Sequence, residues 1–176
     1  LVLVAAGAGG HAGTLSPFAL VTEGRRFYDG LIALSGAIAT GDAIAAARAP
    51  GADFAYIGTR LLASHEANVG ERYKDTIVEA SAADIIYTDA FTGVHGNYLR
   101  QSIEAAGLDA RRLARVDGAQ LDFSPDGGAK QWRDIWGAGQ GVGAMDAVLS
   151  VAEIVERLAA EYARAVARMQ PGAATH

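Results

Sequence analysis

Residues 1–13 read LVLVAAGAGGHAG, and this stretch sets the architecture that we expect for the whole chain. An apolar run of the kind that forms a buried strand, predicted over 2–6, ends in four glycines with one imidazole, His11, among them. Glycine has no Cβ, so the backbone can turn tightly there and approach a ligand closely. The pattern predicts a strand whose carboxyl end opens into a turn of small residues that carries one ionisable ring.

Further short apolar runs along the chain also predict strands. They cover 31–34, 54–57 and 84–87, and helical patterns over 17–28 and 42–48 separate the first three strands. Continuous apolar strands that alternate with helices are typical of a parallel sheet covered on both faces. We therefore expect an α/β fold, and the spacing fits either a barrel or an open doubly wound sheet.

The second and third strands also end in small residues. These residues are Ser35, Gly36, Ala37, Gly58 and Thr59. Ligands of parallel α/β sheets bind outside the carboxyl ends of the strands, where backbone N–H groups can hold an anion. Two such turns on adjacent strands predict a phosphate cradle, and the alternative is that the glycines only form tight turns. The first turn is not a dinucleotide fingerprint, since no G-x-G-x-x-G occurs there with an acidic residue after the next strand.

His11 is the candidate group for proton chemistry. Imidazole side chains titrate near neutral pH, and the flanking glycines leave the surroundings of this ring open. The alternative is a purely structural, hydrogen-bonding histidine. His65 and His176 are expected to be solvated, and His95 is a loop residue with no assigned role. No two histidines have the spacing of metal ligands, so we predict no metal site.

The chain divides into four predicted segments. Residues 1–63 carry the strand–helix units. The sequence that follows is polar and lacks their regular pattern, which predicts a smaller second domain over 64–145. A helix over 146–170 returns to the first unit, and residues 171–176 form a disordered tail.

A capping box marks the start of the last helix. Ser150 is the predicted N-cap and Glu153 stands at the third helical position. One face of this helix is apolar at helical spacing and is expected to be buried. Its members are Val151, Ile154, Val155, Leu158, Tyr162, Ala165, Val166 and Met169.

Composition narrows the function classes. The chain has 176 residues, of which 51% are hydrophobic, and this is enough to build one core. Its net charge is −5 and its one dense basic stretch, ARRLAR, is expected to be a solvated helix face, which argues against nucleic acid as a partner. No cysteine is present, which excludes disulfides and thiolate metal sites. Residues 1–22 are too rich in glycine for a membrane span, so we expect a cytoplasmic protein.

Five stretches carry a resemblance to one family, in the same order along nearly the whole chain. They are AAGAGGHAGTLSPFALV, LSGAIATGDAIAAARAPGADFAYIGTRLLASHEA, TDAFTGVHGNYLRQSIEAAGLD, WGAGQGVGAMD and VAEIVERLAAEY. Together they resemble the nitronate monooxygenase family, formerly called 2-nitropropane dioxygenases. The resemblance implies an FMN-dependent enzyme built on a TIM-like (β/α)8 barrel with a small α/β second domain. The strands of this chain would be the sixth, seventh and eighth, and the chain, which starts on Leu1, would lack the first five units.

The resemblance also implies roles for individual residues. His11 would be the catalytic base or another key residue of the active site. The FMN would be held by Gly10, Ser35, Gly36, Ala37, Gly58, Thr59, Gln140 and Gly141, with the phosphate at the second and third turns. Many relatives read G-G-I where this chain has Gly36-Ala37-Ile38, a change that keeps the backbone N–H.

The implied reaction converts an alkyl nitronate or a nitroalkane and O2 into a carbonyl compound and nitrite. We expect a small-molecule substrate and a possible homodimer. Related flavoenzymes share the same turns, so an NADH-dependent quinone reductase or an enoyl-acyl-carrier reductase is an open alternative. A second alternative is a catalytically silent piece that needs the missing N-terminal half.

Overall fold

The computed structural model describes residues 1–113 and 134–170. Its strands are β1 (Val2–Val4), β2 (Gly10–His11), β3 (Ala33–Ser35), β4 (Phe54–Ala55), β5 (Ile85–Thr88) and β6 (Gly96–Leu99). Its helices are α1 (Pro17–Arg25), α2 (Gly41–Arg48), α3 (Thr59–Leu62), α4 (Glu71–Glu79), α5 (Arg100–Ala105), α6 (Ala110–Leu113) and α7 (Val151–Met169), with 3₁₀ helices at Ala82–Asp84 and Gln140–Ala144.

The first sheet is parallel and has the strand order β1-β3-β4. Leu3 lies beside Leu34, and Leu34 lies beside Ala55. Helices α1 and α2 form the connections, as the alternating pattern predicts, so the α/β fold is confirmed. All three strands are shorter than predicted, and β3 ends one residue later than predicted, at Ser35, directly before Gly36.

One face of the first sheet is packed and the other is exposed. Helices α1 and α2 cover the face that carries Ile32 and Leu34, both of which are buried. On the opposite face Val2 is 54% exposed, Val4 41% and Phe54 56%. The prediction that these strands are buried on both sides is therefore wrong for the described residues, since helices pack on one side only.

The second sheet is antiparallel and has the order β2-β6-β5. The described residues of the stretch 64–145, predicted as a smaller second domain, include the elements α4, β5, β6, α5 and α6. The predicted strand 84–87 is confirmed with a shift of one residue, as β5. Strand β2 pairs with β6, so residues 10–11 join the stretch predicted as a second domain. Two further segments lie outside the described residues: DFSPDGGAKQW (122–132), whose proline and glycines indicate a loop, and the predicted tail 171–176.

Helix α7 begins as the capping box predicts. The Ser150 hydroxyl accepts a hydrogen bond from the Glu153 amide, and the Glu153 carboxylate accepts one from the Ser150 amide. The predicted buried face is only partly correct: Ile154 and Ala165 are buried, whereas Val155 is exposed. The difference arises because α7 packs chiefly against α2, a short helix, and contacts it over a narrow strip.

Glycine allows α2 and α7 to approach each other closely. A Cβ at Gly41 would collide with the backbone of Leu158 and Tyr162, so only glycine fits at this crossing. The Gly41 amide donates a hydrogen bond to the Glu161 carboxylate at 2.7 Å.

Among the described helices, none combines the length and the apolar character that crossing a membrane would require.

Candidate active site

A cavity of about 390 Å³ opens at the carboxyl ends of β1, β3 and β4. Its lining includes seven of the eight residues predicted to bind a cofactor: Gly10, Ser35, Gly36, Ala37, Gly58, Thr59 and Gly141. Its remaining wall carries larger apolar and aromatic side chains, namely Ile38, Tyr56, Leu62, Tyr73, Ile135, Trp136 and Met145. The structure therefore brings together three separate glycine turns and faces them with an apolar wall.

The Gly7 carbonyl joins the turn after β1 to the turn after β3 and to the segment that starts at Gln140. It accepts a hydrogen bond from the Ala37 amide at 3.2 Å and another from the Gln140 amide at 2.9 Å. The Gln140 side chain lies beside Gly7, where a Cβ would approach its Oε1 to 2.8 Å. Gln140 thus holds the turns together, although its side chain is exposed and is not part of the cavity lining.

The turn after β3 is conformationally strained. Gly36 has a φ of +139° and Ala37 a φ of +54°, in a region that side-chain-bearing residues rarely adopt. Strain of this kind costs about 1–3 kcal/mol and is concentrated at binding sites. The Ala37 amide, predicted as a phosphate donor, is already bonded to Gly7.

The turn after β4 presents a hydroxyl. The Thr59 hydroxyl oxygen accepts a hydrogen bond from the Gly139 amide at 3.0 Å, and this bond leaves the hydroxyl proton to be donated. At the start of α2, by contrast, the Ala43 amide is bonded to Thr40 and the Gly41 amide to Glu161. The protein itself therefore occupies these donors of α2, and the Gly58-Thr59 turn is the better anion contact.

Two stacked aromatic rings stiffen the apolar wall. The rings of Tyr73 and Trp136 lie 4.9 Å apart with an interplanar angle of 15°. The Tyr73 hydroxyl donates to the Gly137 carbonyl at 2.5 Å. Burial raises the pKa of Tyr73 to about 12, so the phenol remains protonated and keeps this bond at neutral pH.

His11 lies at the rim of the cavity, on the second sheet. Gly10, its neighbour in β2, lines the cavity, whereas the exposed His11 ring lies outside the lining. The ring contacts the Thr92 hydroxyl, with 3.1 Å between Nε2 and Oγ1. The His11 backbone pairs with Gly96 of β6.

The sequence also singled out the histidines His65, His95 and His176. His95 stacks on Tyr87, with 4.9 Å between ring centroids, and its carbonyl accepts a hydrogen bond from the Ala12 amide. His65 is exposed, as predicted, and His176 lies outside the described residues. Within residues 1–113 and 134–170, no group of three potential metal ligands comes together.

Asn97 connects the second sheet to the glycine turns. Its side chain is 2% exposed, and its Nδ2 donates to the Ala8 carbonyl at 2.7 Å. Its own carbonyl accepts a hydrogen bond from the Ala138 amide at 3.2 Å. Asn97 therefore fixes both glycine segments on the second sheet's side of the cavity.

Sequence reasoning missed several residues that shape the site. They are Tyr56, Tyr73, Thr92, Asn97 and Trp136. The Thr-Gly pair at 92–93 is a recognisable turn signal, and Trp136 directly precedes the glycine-rich stretch that did attract attention. Nothing in the local sequence marks Asn97, because its partner is 89 residues away.

The comparisons with known proteins agree on one family. The family model for nitronate monooxygenase matches residues 1–161. Rv1533 of Mycobacterium tuberculosis, which carries a provisional monooxygenase name, is 29% identical over 93% of this chain and 47% of its own length.

Solved structures are similar over nearly the whole chain. The M276A mutant of FabK from Thermotoga maritima has a TM-score of 0.73 and 30% identity, and the match covers 96% of this chain and 53% of that one. The nitroalkane oxidase of Streptomyces ansochromogenes has a TM-score of 0.70 and 28% identity, with the same two coverages. This chain thus spans about half the length of the proteins it matches. The match of the family model to most of the chain shows that it belongs to the nitronate monooxygenase family.

Proposed function

We propose that the protein is an FMN-dependent oxidoreductase that uses O2 to oxidise alkyl nitronates and nitroalkanes to carbonyl compounds and nitrite. One observation carries this proposal: in a member of this family, a glycine-lined cavity at the strand ends lies beside His11. The similarity to a nitroalkane oxidase, at 28% identity, supports the substrate class.

The residues of the cavity fit FMN. The Gly58-Thr59 turn would hold the phosphate, with the Thr59 hydroxyl as a donor. A Cβ at Gly10 or at Gly58 would meet nothing within 4 Å, so both glycines leave open space for a ligand. The flat ring would lie against apolar side chains such as Trp136, since the described lining carries no charged side chain.

His11 would handle the proton in this reaction. A nitroalkane must lose its α-proton to become a nitronate, and the His11 imidazole at the rim would be the group that accepts this proton. When bound, FMN supplies the redox chemistry between the substrate anion and O2. A nitronate that is already deprotonated needs no base, so only neutral nitroalkanes should depend on His11.

The proposal includes the place of these strands in a larger fold. Strands β1, β3 and β4 would be the sixth, seventh and eighth strands of a TIM-like barrel, with α1 and α2 on its outside. In such barrels a phosphate site follows strands seven and eight, which correspond to the turns after β3 and β4. The exposed face with Val2, Val4 and Phe54 would then be the face turned to the barrel interior.

The test is a direct assay of the purified protein supplied with FMN. Propionate 3-nitronate and nitroethane are each mixed with it under air, and nitrite release and O2 uptake are followed. We expect nitrite from both substrates, and O2 uptake that depends on bound FMN. Absence of nitrite from both substrates in a protein that binds FMN would overturn the proposal.

A second candidate is an FMN-dependent reductase that uses NADH on a quinone or an enoyl thioester. The specific observation in its favour is the similarity to FabK, whose TM-score of 0.73 and 30% identity are slightly above the 0.70 and 28% of the nitroalkane oxidase. The same preparation separates the two: rapid bleaching of the flavin absorbance by NADH without nitrite formation would favour the reductase. A protein that is colourless after incubation with FMN and removal of the unbound FMN would instead favour a catalytically silent chain.

A further inference from the structure

We propose that Arg60 is the counter-charge of the FMN phosphate: a buried guanidinium that attracts the phosphate at the Gly58-Thr59 turn without lining the cavity itself. This inference deepens the proposed function and rests on the part of it that assigns FMN to this cavity. It adds a charged residue on which the preference for a phosphorylated flavin depends.

Two cationic side chains are buried among the described residues, and they differ in their partners. Lys74 and Arg60 are each 4% exposed. The Lys74 ammonium lies 3.0 Å from a Glu71 carboxylate oxygen and 3.5 Å from the His65 carbonyl oxygen. Nε and Nη1 of Arg60, by contrast, have no hydrogen-bond partner in the part of the chain that the structure describes. Arg60 is therefore a buried cation that the described protein leaves unpaired.

An unpaired buried charge is unfavourable unless another group compensates for it. Arginine stays protonated in proteins, so Arg60 cannot avoid this cost by losing its proton, as a buried lysine can. Removal of an ion from water is costly even after its surroundings relax. Arginine side chains are for this reason almost never fully buried without a partner. The burial of Arg60 thus indicates that an anion binds nearby.

Arg60 directly follows the turn to which we assign the phosphate. It is the second residue of α3, and Gly58, Thr59 and Leu62 around it line the cavity. The Cα atoms of Thr59 and Arg60 are about 3.8 Å apart, because a trans peptide joins them. The guanidinium is therefore carried by the same short element as the Thr59 hydroxyl.

The described lining of the cavity offers hydroxyl and amide groups to a phosphate but no charged side chain. A phosphate monoester carries a charge of about −1.5 to −2 at pH 7. Inside a protein, a unit charge about 10 Å away changes the affinity for such an anion by about tenfold. Arg60 provides the positive charge that the described lining lacks.

Asp146 is a carboxylate on which the charge of Arg60 acts, but it does not neutralise that charge. Its side chain is 73% exposed, and its Oδ1 lies 2.9 Å from Nη1 of Arg157. The hydrogen bond from Arg157 is the main reason why the pKa of Asp146 lies below its usual range, and the attraction of Arg60 is the smallest of the causes. The charge of Arg60 consequently remains available to a bound anion.

The first readout compares two flavins. Riboflavin is FMN without its phosphate, so titration of flavin fluorescence with each of them isolates the contribution of the phosphate. Arg60→Met should raise the Kd of FMN about tenfold and leave the Kd of riboflavin within about twofold, because the charge acts on the phosphate. Arg60→Lys, which keeps the charge, should stay within about threefold of the parent for both flavins. Arg72→Met, which removes an exposed arginine from α4, is the control and should bind both flavins as the parent does.

The second readout is the stability of the protein without flavin. Nε and Nη1 of Arg60 have no partner to lose, so an apolar side chain of similar length should leave no other group unsatisfied. The urea midpoint of flavin-free Arg60→Met should therefore equal or exceed that of the parent. An arginine with a purely structural role would instead lower the midpoint when it is replaced.

Three binding results would overturn the inference: a parent that binds FMN no more tightly than riboflavin, an Arg60→Met variant that keeps the FMN affinity of the parent, or one that loses affinity for both flavins equally. A lower urea midpoint of Arg60→Met would also overturn it, because the guanidinium would then have a partner within the protein. A protein that shows the expected loss for FMN alone but forms no nitrite would refute the proposed reaction, while the role of Arg60 would stand.

Discussion

The two sheets contribute to the candidate site in different ways. The parallel sheet of β1, β3 and β4 supplies backbone, in the glycine turns that form the cavity. The antiparallel sheet of β2, β5 and β6, with the loop between β5 and β6, supplies side chains, namely His11, Thr92 and Asn97. Under the proposed function, the binding surface and the proton chemistry therefore lie on separate elements, which meet at Gly10-His11.

Substitutions in the two sheets should therefore have different measurable effects. Changes in the first sheet's turns should alter stability or FMN affinity, because backbone and open space are what these turns provide. Changes in the second sheet should alter the rate of proton transfer or the anchoring of the turns. A first-sheet substitution that changed only the rate of proton transfer, or a second-sheet substitution that changed only the affinity for FMN, would contradict this division of roles.

The largest effect is expected for His11→Asn. Loss of the base should lower nitrite formation from nitroethane by about 10²–10⁴-fold, the usual contribution of general base catalysis. Propionate 3-nitronate should be affected much less, since it is already deprotonated. Initial rates of nitrite formation measure both substrates, and His65→Asn, a change at an exposed histidine, is the control. Equal rates of variant and parent on nitroethane would remove His11 from the mechanism.

The next effect concerns two glycines of the first sheet. A Cβ at Gly36 would lie 2.8 Å from the Ala6 carbonyl oxygen, at a φ of +139°, so Gly36→Ala should lower the free energy of unfolding by about 1–3 kcal/mol. Gly58→Ala meets open space and should leave that free energy unchanged. Its methyl group would instead occupy space that we assign to FMN, and binding should weaken.

Urea unfolding and titration of FMN fluorescence separate these two outcomes. We expect Gly36→Ala to change the unfolding midpoint and Gly58→Ala to change only the dissociation constant of FMN. This result would separate a glycine needed for the fold from one needed for binding. If Gly58→Ala binds FMN as the parent does, the Gly58-Thr59 turn does not hold the cofactor.

The sequence predicted the first sheet well because its signals are local. Each strand is an apolar run followed directly by small residues, and the helices between them carry their caps, such as Ser16 and Thr40, next to them. Seven predicted residues consequently meet in one cavity. What local signals could not predict is which face of the sheet helices cover, and Val2 and Phe54 are accordingly exposed.

Two of the three strands of the second sheet, β2 and β6, escaped prediction for the opposite reason. Strand β2 has only two residues, and all four residues of β6 are buried, so neither shows the alternation that marks a half-buried strand. The decisive contacts are also remote in sequence: His11 and Thr92 are 81 positions apart. Only pairing of β2 with β6 brings them together, and this pairing has no signature in either segment alone.

A moderate effect is expected for Asn97→Ala. The change removes the donor that satisfies the Ala8 carbonyl, and an unsatisfied buried group costs about 1–3 kcal/mol. Asn68→Ala, at an exposed position, should stay within about 0.5 kcal/mol of the parent. Urea unfolding compares the two variants. Equal stabilities would show that Asn97 does not anchor the glycine turns.

The smallest effect is a dependence of stability on pH that arises from two carboxylates, one beside each sheet. The Ile32 amide, and after it the Arg25 guanidinium, hold the pKa of Asp53 below its usual value. The Ser81 amide and then Arg100 do the same for the pKa of Asp84. A carboxyl group whose pKa is lower in the folded state stabilises the protein above its ordinary pKa, and this stabilisation is lost as the pH falls through the folded value.

The Tm of the parent should therefore fall between about pH 5 and pH 3, and each aspartate-to-asparagine variant should show a shallower fall. Asp84→Asn should flatten the profile more than Asp53→Asn, because the Asp84 side chain is 14% exposed and that of Asp53 is 37% exposed, so solvent screens Asp84 less. Asp75→Asn, at an exposed carboxylate in α4, is the control and should follow the parent curve. If Asp53→Asn flattened the dependence of Tm on pH more than Asp84→Asn, the carboxylate beside the parallel sheet would be the one that contributes more to stability.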